Sequence, residues 1–504
     1  MTRWRWAAAL LLAAGCGPGA KAPEPLNPVR FLLINDVYVA DTMADGRGGL
    51  ARVATVRARL ADQGPVVFVL AGDLLSPSLL SKYYNGRQMV EALNAAHLDY
   101  ATFGNHEFEL DRDTLAARIA ESKFKWLSTN CTGTDGRAFP RVLPWDTLEI
   151  SKHKVGIFAL TLQGDYRRYV RCADPDSAAR RAVDTLSALG ADLIVGLTHQ
   201  TVEADRNLLA REPRIDLILG GHEHEAHDSV VSGRHVLKAD ANGRTAQFAT
   251  LWGGKGKWRQ AAALVPIDAR LPADTAVAAV VARWDDSLQR RLGPVREIGR
   301  TTIPIDARDA TSRRRESPLG DLVTDAMRAG TGADVALLNA GTLRLDDVIE
   351  PGPITNYQLE SIFLFADETR IVRFPLTGAR LREVLEHGVS EGVLGKGGFL
   401  QVSGVRFTFD PAAPTDQRLA GDITRQDGRT IAPGDTLSVA FGDYPACHGG
   451  DGYRIAEAST ACAASDSAPR AVDLLLRYIS DSLQGTITAP VTDRIGEGKN
   501  TNPG

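Results

Sequence analysis

The chain has 504 residues, 44% of them hydrophobic and 24% charged. That composition describes an ordinary globular protein, long enough for two or more domains with full cores. A net charge of −4 excludes the broad basic field that a nucleic-acid polymer or an anionic membrane surface would attract.

Arg3 and Arg5 precede an apolar run from Ala7 to Ala14. The run is too short to span a bilayer and reads as an export signal. Its end, Leu12-Ala13-Ala14-Gly15-Cys16, resembles a bacterial lipoprotein signal box. On that reading residues 1–16 are the signal, Cys16 carries the lipid, and the Pro-rich stretch 17–28 is a tether. An ordinary secretory signal with an incidental cysteine is the alternative. Either way the protein is exported to an oxidising compartment, the periplasm or cell envelope. Contact with membrane is then expected only through the lipid at Cys16, and a monomer is expected. Cys131, Cys172, Cys447 and Cys462 remain. An even count fits two disulfides with three possible connectivities. Pairing nearest neighbours, Cys131–Cys172 and Cys447–Cys462, keeps each bridge within one domain; free buried thiols are the alternative.

Residues 29–267 alternate short apolar runs with helical patterns, which argues for a layered α/β core. Five runs read as buried strands, and each stops at polar residues. Phe31–Ile34 stops at Asn35-Asp36, and Val66–Leu70 at Gly72-Asp73. Tyr100–Phe103 stops at Gly104-Asn105-His106-Glu107. Leu193–Leu197 stops at Thr198-His199, and Ile215–Leu219 at Gly220-Gly221-His222-Glu223-His224. Ligands of open α/β sheets gather beyond the carboxyl ends of strands. Asp36, Asp73, Asn105, His199, His222 and His224 are therefore expected at one place. Oxygen and imidazole donors without thiolate suit two divalent ions such as Zn, Mn or Fe. Helices are predicted from Leu50 to Leu60 and from Ala178 to Leu189, with a ligand-free strand over Val155–Leu160. Pro272 to Leu292 reads as one long helix with Val277, Val280, Val281 and Trp284 on a face. It is expected to be a connector, 268–294, between two domains. Beyond it, over 295–497, a helix over Leu319–Met327 and a strand over Val335–Leu338 are predicted. The strand delivers Asn339-Ala340-Gly341-Thr342-Leu343-Arg344. The run Arg313-Arg314-Arg315 reads as a solvated loop, and Gly395-Lys396-Gly397-Gly398 as a flexible turn lacking the P-loop pattern.

The five strand-end motifs, in this order, resemble the calcineurin-like metallophosphoesterases. The whole chain after the tether resembles the two-domain bacterial 5′-nucleotidase and UDP-sugar hydrolase group within them. Asn339, Gly341 and Arg344 fall on that group's Asn-x-Gly-x-x-Arg motif, and Phe399–Gly404 and Gly449–Tyr453 match two more. The resemblance implies a four-layer N-terminal domain and a C-terminal α/β substrate domain. It also implies a two-metal phosphoric monoester hydrolase acting on nucleotides. Asp73 would be shared by both ions, with Asp36 and His224 on one, and Asn105, His199 and His222 on the other. His106 would stabilise transition-state charge or protonate the leaving oxygen. Asn339, Arg344, Phe399, Tyr444 and Asp451 would bind the nucleotide, with Phe399 and Tyr444 stacking on the base and Asp451 on the ribose.

Two departures qualify the match. The family usually has Asp-x-His at the first motif, and this chain has Asp36-Val37-Tyr38. Tyr38 is carried as a metal position with three outcomes open: a phenolate ligand, a bystander to water, or a weaker site. The family also orients the catalytic histidine with an aspartate three residues on, where this chain has Glu109, with Asp111 two further. Rival readings are a cyclic-nucleotide phosphodiesterase, a UDP-sugar hydrolase or a sulfur-ester hydrolase of the same fold. Outside enzymes, the rival is a metal-impaired protein that only binds nucleosides or a partner.

Overall fold

The computed structural model describes residues 27–43, 45–164, 169–254, 256–345, 347–364, 369–488 and 493–498. The export signal, Cys16 and all but the end of the tether lie outside these residues. Among the described residues, no helix is long and apolar enough to cross a membrane.

Two sheets lie at the centre of the N-terminal half. One has seven strands, including Val29–Ile34, Val67–Ala71 and Tyr100–Thr102 side by side and parallel. The other has six, including His153–Thr161, Leu193–His199, Leu217–Gly221 and Arg234–Lys238, again parallel. Strand alternation sorts the apolar residues into layers. Phe31, Leu33, Val67 and Val69 point inward and pack with Ile157, Leu193, Val195 and Leu217 of the other sheet. Leu32, Ile34, Phe68 and Leu70 point outward to the helices Leu50–Ala61, Arg87–Ala95 and Arg112–Glu121. Phe158, Ile194 and Ile218 face the helices Pro175–Ala188 and Val202–Arg211 on the opposite outer face. The order helix, sheet, sheet, helix gives the four layers expected. Strands buried on both faces carry continuous apolar runs, which is why they were visible in the sequence.

The helix Thr275–Leu292 falls within the stretch read as the connector. Asp274 caps it, accepting from Ala276 N and Val277 N. Val277 and Val281 are buried in the N-terminal core, so the helix is anchored to that domain before the chain passes on.

In the C-terminal half, Val335–Asn339 lies centrally in a four-stranded sheet. It runs parallel to Thr436–Gly442 and antiparallel to Leu400–Ser403. The helix Pro318–Thr331 covers one face through Leu319, Val323 and Met327. The helix Gly378–Val393 covers the other through Leu381, Leu385 and Val389. Both nearest-neighbour disulfides are present, Cys131–Cys172 and Cys447–Cys462.

Candidate active site

The parallel strands end level with one another, so the polar residues after them meet. Asp36, Asp73, His222 and His224 all have left-handed backbone, with φ of 52°, 57°, 94° and 62°. Such conformations cost non-glycine residues about 1–3 kcal/mol each and cluster at functional sites. Here they turn each side chain back over its strand end. Room comes from glycine: a Cβ on Gly104 would collide with Asp73 Oδ1, and one on Gly221 with the Ala71 carbonyl.

Asp36, Asp73 and His199 present ligand atoms all within 4.8 Å of one another, and all three are buried. His199 Nδ1 lies 2.8 Å from the Ala71 carbonyl. A donated N–H there leaves Nε2 free to coordinate, the usual device behind a metal-bound imidazole. Nε2 faces Asp73 Oδ2 at 3.2 Å and Asn105 Oδ1 at 3.2 Å. Asp36 Oδ2 accepts from Asn35 Nδ2 at 2.7 Å and from His222 N at 2.9 Å. Asp36 Oδ1 is buried without a hydrogen-bond partner and lies 3.6 Å from His224 Nε2. An orphaned carboxylate oxygen facing imidazole nitrogens is what a cation site requires. The residues present therefore fit divalent metal.

The electrostatics agree. Burial pushes the His199 imidazole down, but Asp73, aided by Asp36, outweighs it and raises the group to about 10. Burial also raises the Asp73 carboxyl, yet His199 and His106 hold it well below the ordinary carboxylate range. Two buried carboxylates thus draw positive charge to this point, and a divalent cation answers the same demand. His222 is pushed down to about 3, by burial first and then by charge on His199, which favours the neutral imidazole that binds metal.

Tyr38 points into this group. Its hydroxyl donates to Asp73 Oδ2 at 3.1 Å and lies 2.9 Å from His224 Nε2. Glu107, assigned no role from the sequence, is fully buried. Its two oxygens accept from the N–H groups of Asp73, Leu74, Leu75 and Gly104. It thereby clamps the Asp73 turn to the Asn105 turn.

His106 N donates to Asp73 Oδ1 at 2.8 Å. Its ring Nδ1 lies 2.7 Å from Glu109 Oε1, and Ser76 Oγ donates to Glu109 Oε2 at 2.6 Å. The carboxylate three residues on is thus the partner of His106. Asp111 instead caps the helix Arg112–Glu121, accepting from Thr114 N. The other domain reaches this pair: Arg344 Nη2 donates to Glu109 Oε1 at 2.7 Å and lies 3.0 Å from His106 Nδ1. Burial acts to raise the Glu109 carboxyl, but Arg344 and then His106 hold it down to about 2.

A cavity of about 1230 Å³ opens between the two halves. Asn105, His106 and Glu109 line one wall; Asn339, Arg344, Tyr444 and Asp451 line the other. Asn339 Nδ2 donates to Asp451 Oδ2 at 2.7 Å. Tyr444 is 54% exposed, its ring lying against Gly450. Phe399 is a correction. It has no exposed surface, packs against Gly392 and Phe409, and is absent from the cavity wall. Gly392 offers no side chain to exclude the ring, and burying it is worth roughly 1.5–3 kcal/mol. Only the main chain of Phe399 serves the site, its carbonyl accepting from Ala340 N at 2.7 Å. Arg313 is a second correction. Arg314 and Arg315 are exposed as a solvated loop should be, but Arg313 lines the cavity. Gly397 does too, its carbonyl accepting from Gly341 N at 2.8 Å, so that turn is part of the wall. Nothing in a charge run marks which member faces inward.

Comparison with known proteins agrees with this geometry. The profile of the calcineurin-like phosphoesterase family matches residues 29–226, and that of the 5′-nucleotidase C-terminal domain matches residues 297–458. The chain belongs to the calcineurin-like metallophosphoesterases that carry a 5′-nucleotidase C-terminal domain. Snake venom 5′-nucleotidase of Naja atra is 26% identical over 462 residues, covering 82% of this chain and 86% of that protein. The 5′-nucleotidase precursor of Thermus thermophilus shares the fold with a TM-score of 0.78 at 24% identity, over 94% of this chain and 100% of that one. The sulfate thiohydrolase SoxB of Thermus thermophilus shares it at 0.73 and 19% identity, over 96% and 99%. The protein is thus a phosphoric monoester hydrolase of a family that works with divalent metals.

Proposed function

We propose that the protein releases phosphate from nucleotides, with metal chemistry on one wall of the cavity and nucleoside recognition on the other. The observation that carries this is one cavity shared by the His106–Glu109 pair and by Tyr444, Asn339 and Asp451. Asp36, Tyr38 and His224 would hold one divalent ion and Asn105, His199 and His222 a second, with Asp73 available to both. Bound ions supply Lewis acidity toward the phosphoryl oxygens. The Tyr38 hydroxyl lies within hydrogen-bond reach of Asp73 and His224, the groups with which it would share an ion.

His106 carries the leaving-group proton on Nε2 while Glu109 holds its Nδ1–H. Arg344 keeps Glu109 ionised and, with Arg313, draws the phosphate. Tyr444 stacks on the base, and Asp451, steadied by Asn339, takes the ribose hydroxyls. The test is metal analysis of the purified protein beside a phosphate-release panel of nucleotides, cyclic nucleotides, sugar nucleotides and sulfur esters. Nucleoside monophosphates should be the best substrates. Asp73→Asn should lose metal and turnover together, and retained turnover in that variant after dialysis against chelator would refute the two-metal reading.

We also infer export to the cell envelope with a lipid on Cys16. Two disulfides within the described residues support an oxidising compartment. Mass spectrometry of the native N-terminus tests it: a diacylated start at Cys16 is expected, and an unmodified start elsewhere would refute it.

A further inference from the structure

The strand Arg234–Lys238 runs parallel to Leu217–Gly221 and brings Lys238 opposite Gly220. The Lys238 side chain has no exposed surface. A buried ammonium is costly unless paired and hydrogen-bonded. Its Nζ donates to the Gln200 carbonyl at 2.6 Å, the Gly221 carbonyl at 2.7 Å and Glu223 Oε2 at 2.5 Å. Asp205 Oδ2 lies 3.1 Å away.

These acceptors are neighbours of the histidines assigned to metal. Gln200 follows His199, Gly221 precedes His222, and Glu223 stands between His222 and His224. Strand pairing fixes the spacing only as far as His199 opposite Gly221. Beyond that point His222 and His224 have left-handed backbone, and no ladder sets their distance from His199. The ammonium acts where the ladder stops. Its two carboxylates are braced in turn. Glu223 Oε1 accepts from Val202 N at 2.5 Å, and Asp205 Oδ1 from Gln200 Nε2 at 2.9 Å.

We propose that Lys238 is a positioning residue whose ammonium sets the spacing between His199 and the His222–His224 turn, and thereby the affinity for divalent metal. The proposal rests on the reading that these histidines bind metal. Partners behind metal ligands typically account for about 10–100-fold in affinity. A lysine that only stabilised the fold would change unfolding but not the affinity of the folded protein.

The experiment titrates zinc into folded, metal-free full-length protein by calorimetry, and cobalt(II) by visible absorption. Lys238→Met keeps the chain length and removes the donors. It should bind both ions about 10–100-fold more weakly, with an altered cobalt spectrum. Turnover should recover in excess metal, and KM for nucleotide should stay unchanged. If Lys238→Met does not fold, Glu223→Gln takes the charge from one of the four groups around Nζ and should still weaken binding about tenfold. His222→Ala is the control for the underlying assignment. Metal loss in His222→Ala together with wild-type affinity in the folded Lys238→Met or Glu223→Gln protein would overturn the role of Lys238 alone. Wild-type affinity in His222→Ala would overturn the assignment beneath it.

Discussion

Four of the metal-assigned side chains sit on left-handed backbone, and His106 lies beside them without joining them. His106 is tied to Asp73 through its backbone N–H and to Glu109 through its ring. That division of contacts argues for a proton-handling ring on an arm fixed to the metal group. His106→Ala should reduce kcat by about 10²–10⁴-fold, the range for a general acid or charge stabiliser. Metal content by elemental analysis should be unchanged; a large loss of metal would move His106 into the ligand set. At this scale the sequence showed which polar residues end the strands, because they follow apolar runs. It did not reveal direction. The Phe399 motif named an aromatic ring, but tertiary packing against Gly392 turned that ring inward. Arg313, Glu107 and Lys238 owe their roles to a wall, to N–H donors and to acceptors supplied by other segments, which no local pattern encodes.

Among the elements, the strands were the most legible and the helices next. The predicted helix from Ala178 to Leu189 is observed as Pro175–Ala188, started one turn earlier by Asp174 accepting from Ser177 N. The connector helix was legible in sequence, but its packing on the N-terminal domain was not, since an apolar face does not say which domain it will cover. The short helix Asp443–His448 carries Tyr444 and Cys447, and its disulfide reaches Cys462 on Ser459–Cys462. Ser465 and Asp466, just beyond, also line the cavity. The bridge therefore braces the wall that presents Tyr444. Replacing both Cys447 and Cys462 by Ser should cost about 2–4 kcal/mol in denaturant unfolding. It should also raise KM for nucleotides while leaving a small phosphate ester unaffected. An unchanged KM for both substrates would show that the bridge serves only stability.

Across the whole molecule, the two halves meet through charged contacts at the site and beside it. Arg344 pairs with Glu109 at 2.7 Å, and Lys82 with Glu360 at 2.9 Å. The Glu109 carboxyl is held down to about 2 from 4.5, and Arg344 is the largest influence opposing its burial. A depressed carboxyl contributes stability above its ordinary value and loses it as pH falls toward the folded one. Arg344→Ala should therefore destabilise the metal-free protein by about 1–3 kcal/mol near neutral pH. The gap from wild type should close as pH drops below 4.5 toward 2. A gap independent of pH would mean that Arg344 does not act through Glu109.

The central claim is that one domain supplies the chemistry and the other reads the nucleoside. The most direct measurement is kcat/KM for AMP and for p-nitrophenyl phosphate in wild type and in Tyr444→Ala. Loss of a stacked face worth roughly 1–3 kcal/mol should lower the value for AMP by about 5–150-fold and leave the small ester unchanged. Equal kinetics on both substrates in both proteins, or no turnover of AMP by the metal-loaded wild type, would contradict the account.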